Sequence, residues 1–318
     1  MSHKKSPVVP VELPAPKSLL RLGLCCQFLE QPVKFRVTTA TAMQRLPRRE
    51  QLARYAELCA GNANALLAAL QFCAANGIGS FRILTPIMPV KTHPTFGYRV
   101  EELPGADDIV AAFRRCGEFA RANHIRTGFH PDQFVVLNSP DENIVARSIA
   151  DIESQAELAE WTNADTVNIH GGGGYGDKAA ALERFKRNLE KLSSRARVRL
   201  TVENDDKTYT PADLLPLCRS EDVPLVYDAH HHRCLRDGLT VEEATAAARA
   251  TWPKREPLFH LSSPLEGWSG PKPERHHDYI DPKDFPAAWH GWPLTVEVEA
   301  KAKEVAVARL LRDLQGAK

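Results

Sequence analysis

The stretch Pro224-Leu-Val-Tyr-Asp-Ala-His-His-His232 joins a short apolar run to a carboxylate and three imidazoles. Residues 224–227 show no polar alternation, which is typical of a short strand buried on both faces. The strand ends in Asp228, and an aspartate followed by histidines offers the oxygen and nitrogen ligands that borderline divalent metals accept. A polar loop rich in histidine is the alternative. The metal interpretation is favoured because an apolar run that ends in a ligand-type residue recurs along the chain.

The composition limits the class of protein. A chain of 318 residues with 43% hydrophobic residues can bury one large α/β core or two smaller ones. Its net charge of +1 gives no overall field that would by itself indicate a nucleic-acid partner. We find no membrane-length apolar run and no signal peptide, so we expect no membrane contact. We also expect a cytoplasmic monomer, the compartment being indicated by the cysteine usage. Seven cysteines without a CxxC pair predict reduced thiols that pack in the interior.

From residue 19 onward, strand-like and helix-like segments alternate. Residues 1–18 contain four prolines and little core-forming periodicity, so we predict a flexible leader at 1–18 and a single TIM-barrel catalytic domain at 19–318. The predicted strands are 21–25, 80–84, 126–130, 166–170, 198–203, 224–228, 258–261 and 294–299. The predicted helices are 49–75, 107–123, 142–162, 178–192, one that begins at Pro211, 240–250 and 301–314. Eight strands alternating with helices predict a (β/α)8 TIM barrel, with a doubly wound open sheet as the alternative.

The candidate functional residues stand where the predicted strands end. In a barrel the carboxyl ends of all strands open onto one face, so residues far apart in sequence converge there. His276 lies in the long loop after the seventh strand, which can fold back over the same mouth. The strand ends supply the other candidates: His130, His170, Glu203, Asp228 with the nearby His231, His260 and Glu299. Polar residues meeting by coincidence at a barrel mouth are the alternative, but a site for two or three Mn or Zn ions accounts for all of them together.

Ordered motifs along nearly the whole chain resemble those of the UV damage endonuclease family, from about Arg21 to Lys303. These motifs are RLG at 21, FRI at 81, THP at 92, HPDQF at 130, NIHGGGGYGDK at 168, VEND at 202, YDAHHH at 227, FHLS at 259, RHHDYI at 275 and VEAKAKE at 298. The resemblance implies an α/β fold, a TIM barrel of the xylose isomerase and endonuclease IV type. It also implies cutting of a phosphodiester bond on the 5′ side of UV-type or other helix-distorting damage in double-stranded DNA.

The resemblance also implies roles for individual residues. Gln133 and Phe134 would probe the distorted base pairs at a lesion. Glu203, in the middle of the set, is our candidate for a carboxylate that bridges two ions, and we assign catalytic roles to it together with His231 and Glu299. Metal ligation is implied for His130, His170, Glu203, Asp228, His231, His260, His276 and Glu299.

Three positions depart from the family pattern. Leu24 stands where a tyrosine is usual, Pro86 where polar or acidic residues are common, and Leu258 where a lysine is usual. Strand alternation places Leu258 on the same face as His260, so we expect it to point towards the metals.

Two weaker signals accompany the main ones. Residues 171–176 formally match GxGxxG, but we favour close backbone packing beside the metal site over a dinucleotide fingerprint. Among local clusters of basic residues, Arg275 and Lys301 are our candidates for contacts with DNA phosphates. Solvated helix faces are the alternative for such clusters, including the one formed by Arg45, Arg48, Arg49 and Arg54.

Three classes of function follow from the sequence. A metal-dependent DNA repair endonuclease, or a divergent paralogue with another substrate, is the first. A sugar isomerase or epimerase uses similar ligands at a barrel mouth and is the second. A non-catalytic binding protein on the same barrel is the third, and the complete ligand set is evidence against it.

Overall fold

A computed structural model of the chain describes residues 19–316, so the predicted leader lies outside the described residues. Its eight strands pair in parallel in chain order, and the eighth pairs with the first, which closes a barrel. The strands are β1 Leu20–Cys25, β2 Ser80–Ile83, β3 Arg126–Phe129, β4 Thr166–His170, β5 Leu200–Glu203, β6 Leu225–Asp228, β7 Leu258–Leu261 and β8 Leu294–Val298. The predicted TIM barrel is confirmed and the open sheet is excluded.

Helices follow the strands and cover the outside of the barrel. They are α1 Ala40–Met43, α2 Arg48–Ala75, α3 Ala106–Ala122, α4 Glu142–Thr162, α5 Lys178–Leu189, α6 Ser194–Arg197, α7 Pro211–Glu221, α8 Ala229–Cys234, α9 Val241–Arg249 and α10 Lys303–Gly316. Short 3-10 turns occur at Thr85–Ile87, Val100–Glu102, Pro282–Asp284 and Ala287–Trp289. Thr210 and Thr240 begin α7 and α9 with reciprocal capping boxes, as their sequence context predicts.

The differences from prediction concern element ends and two short helices, α6 and α8. The fifth strand begins at Leu200, because residues 194–197 form α6 and the chain turns before it enters the sheet. The histidine-rich segment after β6 forms α8, with Asp228 as its N-cap. A helix of only six residues is too short to show hydrophobic periodicity, so the sequence did not predict α8.

The main hydrophobic core lies between the barrel and its helices. Residues such as Leu24, Phe81, Phe129 and Val202 belong to it. Their strand neighbours face the barrel interior, where the side chains are largely polar and buried: Arg82, Asn168, Thr201, Glu203, Asp228, His260 and Glu297. These buried polar side chains place charged groups directly below the C-terminal mouth of the barrel, where the candidate site lies.

Helix α2 requires a correction to the sequence analysis. It contains an 18-residue window with mean hydropathy 1.4, so it is long and apolar enough by composition to cross a membrane, contrary to our expectation. Leu66 and Leu70 of α2 are nevertheless fully buried in the main core. Packing on the barrel therefore accounts for the apolar composition of this helix.

The cysteines behave as predicted. All seven lie among residues 19–316 and carry free thiols, and five of them are buried. Burial raises the pKa of Cys116 and of Cys218 to about 12. These thiols are therefore protonated at neutral pH and act as small apolar groups.

Candidate metal centre

A cavity of about 400 Å³ opens at the C-terminal mouth of the barrel. Its lining includes five of the predicted ligands, which lie in β4, β5 and α8 or directly after β3 and β8: His170, Glu203, His231, His130 and Glu299. The predicted convergence of the strand ends is thus present in the structure.

Glu203, the last residue of β5, is fully buried among three histidines. Its Oε2 is 2.8 Å from His130 Nε2, while its Oε1 is 3.1 Å from His260 Nδ1 and 3.3 Å from His231 Nδ1. Asn168 on β4 donates a hydrogen bond to Oε2 and orients the carboxylate. Oε1 makes no hydrogen bond in spite of these short distances. One carboxylate oxygen is therefore held in place, and the other remains available to a cation.

The short helix α8 positions Asp228 and His231. As N-cap, Asp228 accepts a hydrogen bond from the backbone N–H of His231 at 2.8 Å through Oδ1. The Asn204 side chain bonds to both backbone groups of Asp228, at 2.9 and 3.0 Å, and the Asn204 carbonyl lies 3.0 Å from His231 Nδ1. Asp228 Oδ2 is buried without a hydrogen bond. The strand end thus presents one unsatisfied oxygen beside an imidazole.

His260 and Glu299 form the opposite side of the site. His260 Nδ1 lies 3.4 Å from Glu299 Oε1. Arg82 of β2 donates to the same Glu299 oxygen at 2.6 Å and also forms an ion pair with Glu297 of β8. This side of the mouth therefore contains a buried cation as well as carboxylates.

Six of the eight predicted ligands meet in three overlapping groups whose ligand atoms lie within 4.8 Å of one another. The groups are His130–Glu203–His260, Glu203–Asp228–His231 and Asp228–His260–Glu299. Glu203, Asp228 and His260 each belong to two groups. Such sharing is the arrangement expected where one carboxylate serves two neighbouring ions.

His170 and His276 lie beside these groups without joining them. The His170 ring centroid is 5.0 Å from that of His130, and its Nδ1 is buried without a hydrogen bond. His276 pairs with Pro264 in an antiparallel bridge, so the long loop does fold back over the mouth as expected. His276 Nδ1 is 3.9 Å from Glu299 Oε2. His170 lines the cavity, whereas His276 approaches it through Glu299.

The donor set fits a divalent metal ion. Glu203 Oε1, Asp228 Oδ2 and His170 Nδ1 are buried polar atoms that make no hydrogen bond. Buried groups of this kind are costly unless something satisfies them. Mixed imidazole nitrogens and carboxylate oxygens are ligands for Mn or Zn. A bound cation would satisfy these orphaned atoms together.

The surroundings of the mouth carboxylates keep them ionised. Burial raises the pKa of Glu203, but His260, His170 and His130 outweigh it and hold this pKa well below its ordinary value. Burial lowers the pKa of His260, but Glu203 and other neighbours outweigh it and raise this pKa to about 10. Burial raises the pKa of Glu297, but Arg82 and His260 outweigh it and lower this pKa to about 2. The carboxylates of the mouth are therefore ionised at neutral pH.

The loop after β3 displays the two residues predicted to probe DNA. Asp132 Oδ1 accepts a hydrogen bond from the Phe134 N–H at 3.0 Å, which forms a tight turn. Gln133 lines the cavity and is exposed, and 76% of Phe134 is exposed. Arg275 and Lys301 are also exposed, on the long loop and just after Glu299. These placements agree with contacts to a large ligand at the mouth.

Two aromatic residues of the long loop after β7 and two arginines of α2 are engaged in hydrogen bonds, ring contacts or ion pairs. Trp268 Nε1 donates to Asp284 Oδ1 at 2.7 Å, and the Tyr279 ring lies 4.8 Å from the Arg309 guanidinium. On α2, Arg48 pairs with Glu102 and Arg54 with Glu57. The solvated-face alternative therefore describes these two arginines.

The glycine-rich loop packs closely on its neighbours, as we favoured. The Asn138 side-chain amide donates to the carbonyls of Gly171 and Gly173, at 2.8 Å each. A Cβ added at Gly172 would lie 2.2 Å from Asn138 Oδ1, and its φ of +87° also requires glycine. The loop is thus fitted around a side chain, next to the metal site.

The three departures from the family pattern lie away from the candidate ligands. Leu24 is fully buried in the outer core, and Pro86 is exposed in a 3-10 turn after β2. Leu258 packs against Val226 and Trp252. It shares the interior side of β7 with His260, as expected, but it lies one layer nearer the N-terminal end. That Leu258 points towards the metals stays a prediction, because alternation gives the face of a residue and not its depth.

Sequence reasoning missed four residues that hold the ligands: Arg82, Asn168, Asn204 and Glu297. Glu297 had a visible signal, since it stands two residues before Glu299 and strand alternation places both on one face. Arg82 also had one, because an arginine within the apolar run of β2 must find a buried partner.

The closed parallel barrel and the ligands at its C-terminal mouth define the class: TIM barrels of the xylose isomerase and endonuclease IV type. Endonuclease IV from Thermus thermophilus superposes with a TM-score of 0.59 at 17% identity, covering 93% of this chain and 98% of that one. A D-psicose 3-epimerase from Clostridium cellulolyticum gives a TM-score of 0.56 at 14% identity, covering 93% of this chain and 97% of that one. At such identities the likeness shows the fold alone.

Closer relatives narrow the class. The pattern of the family described as UV-endonuclease UvdE matches residues 20–318, and the chain belongs to this family. The UV DNA damage endonuclease of Deinococcus radiodurans is 34% identical over 310 residues, covering 91% of this chain and 94% of the relative. That of Bacillus thuringiensis subsp. konkukian is 30% identical over 290 residues, covering 87% and 88%. The crystal structure of SacUVDE superposes with a TM-score of 0.83 at 26% identity, covering 94% of this chain and 99% of that one.

Proposed function

We propose that this protein is a metal-dependent endonuclease that cuts double-stranded DNA on the 5′ side of UV-type or other helix-distorting damage. The observation that carries the proposal is the position of Glu203, which two candidate metal groups share at the barrel mouth of a UV-endonuclease family member. Two to three Mn or Zn ions are the proposed cofactors, and damaged duplex DNA is the proposed partner.

The ligand roles follow the geometry. Glu203 is the proposed bridging carboxylate, because its two oxygens face different histidines. His130, Asp228, His231, His260 and Glu299 complete the three groups. His170, which lines the cavity, and His276, beside Glu299, complete the proposed set. Divalent ions bound there would supply Lewis acidity and neutralise charge on a phosphodiester that water attacks.

The residues that hold these ligands have a defined task. Asn168 orients Glu203 by a hydrogen bond to Oε2, and Asn204 fixes the backbone of Asp228 from both sides. Such partners keep the first ligands in one arrangement and so limit the reorganisation needed for reaction. Glu203, His231 and Glu299 are the residues we assign to the reaction itself.

Recognition of damage is assigned to the loop after β3. Phe134 projects into solvent from a turn that begins beside His130, so a stacked or wedged contact with a base would lie next to the ligands. Gln133 faces the cavity and offers an amide for hydrogen bonds to base edges. Arg275 and Lys301 supply positive charge for phosphates.

The test combines metal analysis with DNA cutting. Protein purified without chelators should contain two to three equivalents of Mn or Zn and should nick UV-irradiated plasmid more than unirradiated plasmid. A labelled duplex with one lesion maps the cut to its 5′ or 3′ side. Chelation should abolish nicking, and added Mn should restore it.

Two results would contradict the proposal. Metal-loaded protein that fails to bind or cut irradiated duplex at low salt is not a damage endonuclease. Conversion of a ketose to its epimer by the same preparation would instead support the sugar epimerase alternative.

A further inference from the structure

Arg82 and Glu297 meet inside the barrel although their strands are not neighbours. Strand β1 lies between β2 and β8, and Gly23 of β1 is in register with both Ser80 and Glu297. A Cβ added at Gly23 would lie 3.1 Å from Ser80 Cβ and 3.2 Å from Glu297 Cγ. The missing side chain therefore leaves the space across which Arg82 and Glu297 form their buried ion pair.

The pair faces His260 from the side opposite the candidate metals. His260 Nε2 lies 3.1 Å from Glu297 Oε2, whereas Nδ1 lies 3.1 Å from Glu203 Oε1 and 3.4 Å from Glu299 Oε1. The two ring nitrogens are thus directed at different carboxylates, while Arg82 Nη2 lies 3.1 Å from Nε2 and 3.5 Å from Nδ1. A histidine that binds a metal through one nitrogen commonly donates the other N–H to a carboxylate, which fixes tautomer and ring orientation.

We propose that Glu297 and Arg82 are positioning residues that make Nδ1 the ligating nitrogen of His260 and hold Glu299 beside it. Glu297 accepts the Nε2–H of His260, so the Nδ1 lone pair faces the ligand oxygens of Glu203 and Glu299. Arg82 compensates the charge of Glu297 and donates to Glu299 Oε1 at 2.6 Å. This inference rests on the metal site of the proposed function, and it does not depend on the substrate.

The geometry gives Arg82 a task that lysine cannot reproduce. Arg82 donates through Nε to Glu297 and through Nη2 to Glu299. One planar guanidinium therefore joins a carboxylate within β8 to a carboxylate directly after that strand. A lysine carries one point charge and lacks this fork. Arg82→Lys should therefore weaken metal binding almost as much as Arg82→Gln does.

The principal measurement is Mn(II) affinity by titration calorimetry on the full chain. Glu297→Leu should weaken binding by about 10- to 100-fold, the usual loss when an outer partner of a metal ligand is removed. Glu297→Gln keeps an acceptor oxygen for Nε2–H and should lose less. Arg82→Met combined with Glu297→Leu replaces the pair by apolar groups, so it retains a foldable core in which the affinity loss can still be measured.

A spectroscopic readout tests the tautomer directly. In Zn-loaded wild type labelled with ¹⁵N-histidine, NMR should show a protonated Nε2 and a metal-bound Nδ1 for His260. Glu297→Leu should lose this single pattern. A metal-bound Nε2 in wild type would overturn the assignment.

The matched control is Asp165→Asn, which breaks an equally buried arginine–carboxylate pair at the other end of the barrel. It should leave Mn(II) affinity unchanged, and equal losses in both variants would show that Glu297 has only a structural role. Unchanged affinity in Glu297→Leu would overturn the inference while the proposed function stands. Wild type that binds metal but cuts no DNA would refute the proposed function and leave the affinity test valid. Wild type that binds neither Mn nor Zn would refute both.

Discussion

The two ends of this barrel use the same residue types in opposite ways. At the N-terminal end, Arg126 donates to both oxygens of Asp165, at 3.0 and 2.8 Å, and Arg21 pairs with Glu256 at 3.1 Å. At the C-terminal mouth, one buried oxygen of each carboxylate, Glu203 Oε1 and Asp228 Oδ2, makes no hydrogen bond.

The contrast teaches how to separate structural charges from functional ones. A buried ion pair whose oxygens are all satisfied holds elements together, and removal of one partner leaves a costly uncompensated charge. A buried carboxylate with an unsatisfied oxygen is instead available to bind a cation. Conventional TIM barrels divide stability and catalysis between their ends in the same sense.

The largest expected effect is on stability at the N-terminal end. Asp165→Asn removes the charge that compensates Arg126, so the free energy of unfolding should fall by about 3–5 kcal/mol. Urea denaturation measures this change, and Mn(II) titration should show no loss of affinity. A decrease in the free energy of unfolding below about 1 kcal/mol would mean that Arg126 finds another partner. The ion pairs at the N-terminal end would then not be the main stabilising ones.

The next largest effect is on function at the mouth. Glu203→Gln keeps the shape of the side chain but removes the charge of the shared ligand. Nicking of irradiated plasmid should fall by more than the roughly 100-fold seen when an outer partner is lost. Glu118→Gln, on the exposed face of α3, is the matched control and should nick normally. Wild-type activity in Glu203→Gln would remove the basis for a bridging carboxylate.

A smaller effect is expected at the exposed rim. Phe134→Ala should weaken binding to damaged duplex by about 1–3 kcal/mol, the usual value of one aromatic–base stack. The free energy of unfolding should change by less than about 0.5 kcal/mol, because the ring is exposed. Leu19→Ala at the opposite end, where 53% of the side chain is exposed, should leave binding unchanged. Fluorescence anisotropy with a labelled lesion duplex distinguishes the two variants.

The smallest effect concerns single charges. Lys301→Ala should reduce the slope of log affinity against log salt by about 1, since one phosphate contact is lost. Lys254→Ala, which removes an exposed charge just before β7, should leave the slope as it is. Equal slopes for both variants and wild type would place the DNA elsewhere than over Lys301.

Much of the fold and of the candidate ligand set was readable because each buried strand is apolar and ends abruptly. The run Pro224–Tyr227 followed by Asp228 is the clearest case, and the other strand ends repeat it. Parallel strands in a closed barrel then bring those ends together without further information. Such local signals survive in a sequence because the strand and its final residue are adjacent.

The rest could not be read because it depends on depth and on contacts across strands. Alternation placed Leu258 on the side of His260, but only the structure shows it packed with Val226 and Trp252. The pairing of Arg82 with Glu297 requires that β1 lies between their strands and presents Gly23 there. These facts belong to the closed barrel and to no single segment.

The closure of β8 on β1 also sets an order of events in time. The ribosome delivers strands one after another, so β1 exposes an unpaired edge until Leu294–Val298 has emerged. Glu299 follows this strand directly, and the Arg82–Glu297 contact spans 215 residues of chain. A nascent chain can therefore assemble the group around Glu203 early, but it completes the Asp228–His260–Glu299 group only when the first and last strands meet. If the proposed metal site is correct, full metal loading would report that the barrel has closed.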